Sequence, residues 1–459
     1  MYPQSSTFKD KIMGQLLNAE PERSKFSSIS KYMFWLMLRN FATRQWVFSK
    51  PGHDKGSRMF TLPGCIIASP SRPHDNETTE DYVHFWVRDG ALTVNECIYH
   101  DLPTKEMLDD YVSFSYKIQE TAIRAGRGAH ACFNIDGTER SWGEQGDGPG
   151  LRILSILEIW DQLSEDAKST ARKILVRDRQ YIIEHYDGET DNAWEEITGK
   201  SFFSRTAQRQ AIDKLEKSSL KTGIAPEKKI PEIIQALTTS LEEHWANDLG
   251  HYRSILNGKA KNGALRGHEL NIDIVFACTY NGLTCFDERM IATVAKLRNE
   301  FEKLYPINEQ DRELDIGPLI GRYPGDKYDG TVNQGEDMGH PWPLCTANLA
   351  RFYYQCMIEI ANTPCVTITE PMEPFFKQIG FKQSGKISKS SREYNDLQSA
   401  LLSAGDKLMR AIVYHSDHLE LSEQFDRTHG TCMSVRSLTW SYSSFIASSR
   451  IREKAISQL

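Results

Sequence analysis

The stretch "LCTANLARFYYQCMIEI", residues 344–360, decides the fold class. Its apolar side chains recur three and four residues apart, at Leu349, Phe352, Tyr353, Cys356, Met357 and Ile360. This is the period of an α-helix that buries one face. Outward from it, the same spacing predicts helices over residues 107–123, 151–163, 171–183, 233–241, 290–304, 397–412 and 438–446.

Strand-like alternation is rare, and "CVTITEP" (365–371) is its best example. The run "YMFWLML" (32–38) indicates a buried helix face, and it is far shorter than the roughly 20 residues that cross a bilayer. The chain is therefore predicted to be all-α. Since no Ser/Pro-rich linker divides it, we expect one domain over residues 81–459, with residues 1–80 as a less regular N-terminal segment packed against it.

Charge and composition exclude some classes of partner. The net charge is -7, and acidic and basic residues are interspersed along the chain. The sequence therefore shows no basic stripe that could bind a phosphate backbone. We expect no nucleic acid and no membrane as partners. Residues 1–25 lack the pattern of a secretory signal, which favours a cytoplasmic protein, or export without a cleavable signal peptide, including into a host cell. Nothing in the sequence requires more than a monomer.

Nine cysteines are present, and none belongs to a closely spaced pair of pairs. A zinc site is therefore not expected, and we predict no metal or organic cofactor. Cys278 and Cys285 lie near enough in sequence to form a local bridge. Without a secretory signal we expect both thiols to be reduced.

The segment "EDYVHFWVRDGALT" (80–93) is the first of four that combine charged groups with aromatic rings. It holds Tyr82, Trp86, Arg88 and Asp89. An arginine beside an aspartate is most often a structural ion pair. In a sugar site the same pair would bind vicinal hydroxyls while the aromatic rings cover the sugar ring.

The second segment, "GETDNAWEEITGKSFFSRTAQRQA" (188–211), places Glu195 and Glu196 directly after Trp194. Paired glutamates that open a helix often only complement its dipole. A carboxyl group packed against an indole, however, is desolvated, and its pKa rises until it can donate a proton at neutral pH.

Two later loops complete the set. The loop 321–343 carries Arg322, Asp326, Tyr328 and Trp342. The segment 421–442, "LSEQFDRTHGTCMSVRSLTWSY", carries Glu423, Gln424 and Trp440. Long polar loops in a compact domain are often functional, although a flexible loop and a helix cap are the simpler interpretations of these two.

Glycoside hydrolysis needs two carboxyl groups, one protonated and one ionised, beside aromatic faces that hold the ring. Glu195 and Glu423 would meet this need, but about half of the chain separates them. Only a fold that closes on itself, such as a toroid of helices, would bring them face to face.

The segments together resemble family 15 of the glycoside hydrolases, the glucoamylases. The matching pieces stand in the order of that family and span about residues 82–445: "FWVRDGALT", "DGPGLR", "WEEITGKSFFSRTAQRQA", "GRYPGD", "HPWPLCTANLARFYY", "LSEQFD" and "LTWSY". The resemblance implies a single catalytic domain, an (α/α)6 barrel of twelve helices in two rings. It also implies inverting exo-hydrolysis of α-1,4-glucosidic bonds, which releases β-glucose.

The family pattern also implies roles for individual residues. Glu195 would be the general acid and Glu423 the general base, about 6.5–9.5 Å apart so that a water molecule fits between them. Substrate-binding roles are implied for Tyr82, Trp86, Arg88, Asp89, Trp142, Trp194, Glu196, Arg322, Asp326, Gln424 and Trp440. The expected partner is an α-glucan such as glycogen, soluble starch or maltodextrin.

Departures from the family pattern leave alternatives open. Asn192 and Ala193 replace an aspartate and a leucine, the loop of Trp142 is one residue shorter, and the stretch 326–340 is expanded. Loss of a negative charge beside the acid tends to lower its pKa. Two alternatives therefore stay open. The chain could prefer isomaltose, dextran or trehalose as its substrate, or it could be a catalytically weak α-glucan-binding protein.

Overall fold

The computed structural model describes residues 22–49, 58–71, 80–100, 104–261, 269–330 and 339–459. This part of the chain holds fifteen α-helices. They are α1 Glu22–Leu38, α2 Val87–Cys97, α3 Lys105–Arg124, α4 Asp147–Ile159, α5 Glu165–His185, α6 Phe202–Lys217, α7 Ser219–Thr222, α8 Ile230–Glu242, α9 Asp273–Thr279, α10 Glu288–Leu304, α11 Ile307–Glu313, α12 Pro343–Ala361, α13 Glu373–Gln378, α14 Arg392–His415 and α15 Thr439–Ile456.

Six helices form a closed inner ring. Along the ring α2 packs on α4, α4 on α6, α6 on α9, α9 on α12, α12 on α15, and α15 returns to α2. The other long helices are α1, α3, α5, α8, α10 and α14, and four of them pack on inner partners: α1 on α15, α5 on α4, α8 on α6 and α14 on α12. The structure confirms the predicted all-α (α/α)6 barrel of twelve main helices.

Short strands lie in the connections between the helices. They are β1 Val47–Ser49, β2 Arg58–Phe60, β3 His84–Trp86, β4 Cys132–Asn134, β5 Thr190–Asp191, β6 Ile197–Ser201, β7 Trp245–Ala246, β8 His251–Tyr252, β9 Ile255–Ala260, β10 Cys365–Ile368, β11 Gly385–Ser388, β12 Gln424–Phe425 and β13 Cys432–Met433. The sheet with most strands in the described part has the order β5-β6-β9 and is antiparallel, with Thr198 opposite Lys259.

Buried ion pairs join the helices. Arg452 of α15 donates to both carboxylate oxygens of Asp406 in α14, at 2.6 and 2.7 Å, and Tyr354 of α12 donates to the same carboxylate at 2.7 Å. Arg152 of α4 is paired in the same way with Asp178 of α5 at 2.8 and 2.6 Å. Each buried charge therefore has the partner that offsets its desolvation.

Three of the six inner helices begin at one cavity. Helix α2 begins directly after Trp86, α12 directly after Trp342, and α15 directly after Leu438, and these three preceding residues line one cavity. The positive ends of these helix dipoles therefore adjoin that cavity. The fold positions a polar site there through the loops that enter its inner helices.

Each predicted helical segment overlaps an observed helix, but some bounds differ: segment 151–163 runs past the end of α4 at Ile159, and segment 438–446 stops ten residues before α15 ends at Ile456. The stretch 344–360 lies in α12, and "CVTITEP" contains β10. In the run 32–38, Met33, Phe34 and Met37 are buried on the inner side of α1, while Tyr32 and Trp35 are exposed. Among the described helices, none has both the length and the apolar character of a membrane span. The domain boundary at residue 80 stays a prediction.

Candidate active site

A cavity of about 490 Å³ collects residues from six loops of the barrel. Thirteen of the residues singled out in the sequence line it: Tyr82, Trp86, Arg88, Asp89, Trp142, Trp194, Glu195, Glu196, Arg322, Tyr328, Trp342, Glu423 and Trp440. The closed ring thus brings Glu195 and Glu423 to one cavity across about half of the chain.

Glu195 occupies a tight turn between β5 and β6. Its φ of 65° lies in the left-handed region, which is unusual for a residue with a side chain. Its backbone N–H donates to the Asn192 carbonyl at 3.0 Å, and the Asn192 side-chain oxygen accepts from the N–H groups of Glu196 and Ile197 at 3.0 and 3.3 Å. These bonds hold the strained backbone and aim Glu195 into the cavity.

Burial governs the protonation of Glu195. The Trp86 indole N–H donates to its Oε1 at 3.0 Å. Burial raises the pKa of Glu195, and hydrogen bonds from Trp142 and Trp86 with the Arg88 cation oppose this only in part. Although Asn192 carries no charge, the pKa of Glu195 lies above its ordinary value because burial is the largest influence on it. A buried carboxyl with a raised pKa suits proton donation.

Glu423 lies in a cage of hydroxyl groups. Tyr82 donates to its Oε1 at 2.8 Å, Tyr328 donates to its Oε2 at 3.2 Å, and Ser434 also donates to Oε2. Burial raises the pKa of Glu423 to about 7, while the Ser434 and Tyr82 hydrogen bonds and the Arg322 cation lower it. Its acceptor oxygens are thus prepared for the ionised form, which can take a proton from water.

Arg322 is enclosed by acidic and aromatic groups. It donates to both oxygens of Asp326 at 2.7 and 2.6 Å and to Glu196 at 2.8 Å. Its guanidinium lies 5.3 Å from the Trp194 ring centroid and 5.2 Å from that of Trp342. The ion pair fixes the Glu196 carboxylate where it lines the cavity.

Arg88 and Asp89 enter the cavity from the first turn of α2. Arg88 donates to Asp147 at 3.0 Å and to the Ala193 carbonyl at 2.8 Å, and its Nη2 is buried without a hydrogen-bond partner among the described atoms. Burial raises the pKa of Asp89 to about 7, although the Arg88 cation lowers it. An unpartnered guanidinium N–H beside a carboxyl group is suited to binding hydroxyl groups.

Tryptophan rings form the apolar walls. Trp194 stacks on Trp440 with centroids 6.0 Å apart, and Trp86 meets Trp142 edge to face at 5.7 Å. The Trp194 N–H donates to Asn271 at 2.9 Å and the Trp440 N–H to Tyr280 at 3.0 Å. Because the indole N–H groups of Trp194 and Trp440 form hydrogen bonds, these two rings are held in place beside the cavity.

Two predicted residues stand behind the cavity wall. Asp326 is buried against Arg322, and Gln424 donates to the Tyr328 carbonyl at 2.9 Å. The structure therefore gives both of them supporting contacts only.

Four charged or amide side chains that line the cavity were not singled out in the sequence: Glu80, Gln145, Asp191 and Lys261. Gln145 contacts the turn of Glu195, since it donates to the Asn192 carbonyl at 2.8 Å. Glu80 and Asp191 stand inside the quoted segments 80–93 and 188–211, and Gln145 stands three residues after Trp142, so proximity to Trp86, Trp142 and Glu195 could have identified them. Lys261 stands far from any such segment.

Metal ligation finds no support in the described part of the chain, where no cluster of three His, Cys, Asp or Glu residues is suited to an ion. All nine cysteines lie in that part and carry free thiols, Cys278 and Cys285 included. The described lining of the cavity presents carboxyl groups, cations, an amide and aromatic rings.

The chain is similar in sequence to proteins named as glucoamylases. Glucoamylase 1 of Rhizopus oryzae is 27% identical over 80% of this chain and 64% of that protein. The probable glucoamylase of Schizosaccharomyces pombe is 26% identical over 84% of each chain. The intracellular sporulation-specific glucoamylase of Saccharomyces cerevisiae is 28% identical over 86% of this chain and 80% of its own. The chain thus spans less than two thirds of the Rhizopus protein.

Solved structures show the same fold. The family 15 glucoamylase from Hypocrea jecorina superimposes with a TM-score of 0.78 at 22% identity, over 94% of this chain and 72% of that one. The glucoamylase from Saccharomycopsis fibuligera gives a TM-score of 0.76 at 21% identity, over 95% and 96% of the two chains. The family model described as Glycosyl hydrolases family 15 matches residues 43–450. Because this match covers most of its length, the chain belongs to glycosyl hydrolase family 15.

Proposed function

We propose that this chain is a glucan 1,4-alpha-glucosidase, a glucoamylase that removes β-D-glucose from the non-reducing ends of glycogen, soluble starch or maltodextrin. Slower hydrolysis of α-1,6 bonds is part of the proposal. The observation that carries it is the pair of buried carboxyl groups, Glu195 and Glu423, that line one tryptophan-walled cavity. A cavity of about 490 Å³ has the size of a pocket for a small ligand, which fits attack at a chain end.

In this proposal Glu195 is the general acid. Its raised pKa keeps the proton on the carboxyl group until the glycosidic oxygen accepts it. The bond between that oxygen and the anomeric carbon breaks, and the shortened glucan leaves with the proton.

Glu423 is the general base of the same step. Its carboxylate takes a proton from a water molecule, whose oxygen forms the new bond to the anomeric carbon on the opposite face of the ring. Tyr82, Tyr328 and Ser434 orient this carboxylate through their hydroxyl groups. Attack on the opposite face inverts the configuration and gives β-glucose.

Substrate binding is assigned to the groups around the two carboxyls. Arg88 and Asp89 would bind the hydroxyls of the terminal glucose, with Tyr82, Trp86 and Trp440 around its ring. Glu196, held by Arg322, would bind the next glucose unit, and Trp142 would stack on the substrate. The names of the relatives support an α-glucan as the substrate.

The proposal is tested by glucose release from glycogen, maltose, isomaltose and trehalose. We expect maltose and glycogen to be preferred, and Glu195→Gln and Glu423→Gln each to lower the rate by about 100-fold or more. Glu242→Gln, an exposed glutamate paired with Arg289 outside the cavity, is the matched control and should leave the rate unchanged. Faster hydrolysis of isomaltose or trehalose than of maltose would show that the preferred linkage is not α-1,4. Binding of glucan without glucose release would indicate a binding protein.

A further inference from the structure

Lys261 connects the cavity to the sheet that carries the acid's turn. It directly follows β9, and its backbone N–H donates to the Glu196 carbonyl at 3.0 Å. Its ammonium group forms a close ion pair with Oδ2 of Asp191 in β5. Asp191 and Glu196 lie at the two ends of the turn of Glu195, so Lys261 contacts that turn on both sides.

The ion pair lies at the edge of the cavity. The Lys261 side chain is 39% exposed, whereas that of Asp191 is 10% exposed. Both residues line the cavity together with Trp142 and Gly143. A methyl group at Gly143 would clash with Asp191 Oδ2 and lie 3.5 Å from Lys261 Nζ, so the loop of Trp142 packs directly on the pair.

The position of the Lys261–Asp191 ion pair relative to Glu195 and Glu423 indicates which glucose unit of the substrate it contacts. Glu195, as the acid, must face the oxygen of the leaving group, and Glu423 must face the attacking water on the opposite side of the ring. Lys261 is hydrogen-bonded through its backbone to Glu196, the residue next to Glu195, and it lies beside the loop of Trp142. It therefore lies on the side of the leaving group.

The chemistry of Lys261 suits that place. An ammonium group has three N–H donors, and the Asp191 carboxylate engages one of them. A partly exposed lysine anchored by a carboxylate can donate to sugar hydroxyls without moving far, since the ion pair restricts its flexible stem.

We propose that Lys261, held by Asp191, is a specificity-determining residue that donates hydrogen bonds to the glucose units beyond the scissile bond. The inference rests on the proposed α-glucan hydrolase function. It adds a contact on the leaving-group side to the site formed by Glu196 and Arg322. Recognition of longer α-glucans should depend on it, while recognition of a single glucose should not.

Binding is measured in the Glu423→Gln background, so that the ligand survives. Calorimetric titration with maltotriose and with glucose is carried out with and without Lys261→Met. We expect the Kd for maltotriose to rise at least fivefold, the scale of a lost charged hydrogen bond, and the Kd for glucose to change less than twofold. Lys261→Arg should retain part of the maltotriose affinity because it keeps the cation.

Lys259→Met is the matched control. Lys259 stands two residues earlier in the same region, and its ammonium pairs with Glu189 at 2.9 Å, but it does not line the cavity. We expect this variant to bind both ligands as the background does. Thermal melting of every variant confirms that it is folded, and Lys261→Gln replaces the methionine variant if that one is not.

An unchanged Kd for maltotriose in the Lys261→Met variant would overturn the inference. A loss of kcat on maltotriose in the otherwise wild-type chain, without a change in Kd, would also overturn it, because Lys261 would then only position the acid. Failure of the proposed function gives a different result: the wild-type chain would release no glucose from maltotriose, whatever the Kd values are.

Discussion

At the residue scale, Glu423 combines two opposing influences. Three hydroxyl donors and the Arg322 cation favour its ionised form, and burial disfavours it, with a resulting pKa of about 7. A general base acts only when it is ionised. We therefore expect kcat/KM to fall as the pH drops below about 7, and a pH profile of maltose hydrolysis measures this limb.

Glu80 offers a way to shift that limb. Its carboxylate raises the pKa of Glu423 through charge repulsion. In Glu80→Gln the repulsion is lost, so Glu423 ionises more easily and the acidic limb of kcat/KM should move to lower pH. The same profile measures the shift, and movement of the limb to higher pH would contradict this electrostatic account.

Sequence patterns identified most of the cavity residues because charged and aromatic residues stand beside one another there. Trp194, Glu195 and Glu196 are consecutive, and Trp86 stands two residues before Arg88. Lys261 has no such neighbour. Its partner Asp191 lies 70 residues earlier, and only the pairing of β6 with β9 brings the two together.

At the scale of elements, the turn between β5 and β6 depends on Asn192. Its side-chain oxygen accepts two backbone N–H groups that follow the strained Glu195. Asn192→Ala should lower the free energy of unfolding by about 1–3 kcal/mol, because buried donors lose their acceptor. It should also lower kcat, since Glu195 loses its fixed direction.

Asn192→Asp is the informative comparison. Aspartate keeps the acceptor oxygen, so the turn should be retained and stability should exceed that of the alanine variant in urea unfolding. The added charge should raise the pKa of Glu195 and move the basic limb of the pH profile upward. Equal stability and kcat in both variants would show that Asn192 does not hold the turn.

Helix periodicity identified the inner helices α4, α12 and α15 but did not identify α2, α6 or α9. Several buried positions of α2 and α6 are polar, which obscures the apolar period, and α9 has only seven residues. In α6, Ser204, Arg205, Thr206 and Gln208 are all buried. The number and position of these helices became clear only from the ring that they close.

At the scale of the whole molecule, the Asp406 carboxylate joins three helices, since Arg452 and Tyr354 both donate to it. Asp406→Asn removes the carboxylate charge that pairs with both Nε and Nη2 of the buried Arg452 cation and leaves the Glu453 carboxylate, at 3.4 Å, as a more distant partner. We expect it to lower the free energy of unfolding by about 3–5 kcal/mol, measured in urea at pH 7. Asp396→Asn in the same helix, an exposed partner of Arg392, should change it by less than about 1 kcal/mol.

Buried carboxyls also make the stability of the molecule depend on pH. Burial raises the pKa of Asp89, Asp273 and Glu423 to about 7, above the values near 4 of an unfolded chain. Between these values the folded state binds more protons than the unfolded state, so these groups stabilise the fold at low pH and lose that contribution as the pH rises through 7.

Glu423→Gln removes one of these three groups. The decline of the unfolding free energy between pH 5 and 7 should then become shallower by up to about 1.4 kcal/mol per pH unit. Urea unfolding at several pH values measures the slope, and Glu242→Gln serves as the exposed control. An unchanged slope would mean that Glu423 is already ionised in the fold at low pH.

Inversion at the anomeric carbon, with Glu195 as the acid and Glu423 as the base, is tested by the configuration of the first glucose that the chain releases. Proton NMR of the wild-type chain with maltotriose, recorded before mutarotation, distinguishes the two anomers. An inverting mechanism predicts that β-glucose is released first and that the amount of α-glucose rises only as mutarotation proceeds. Initial release of α-glucose would contradict it, because retention requires a covalent glycosyl intermediate rather than a base that activates water.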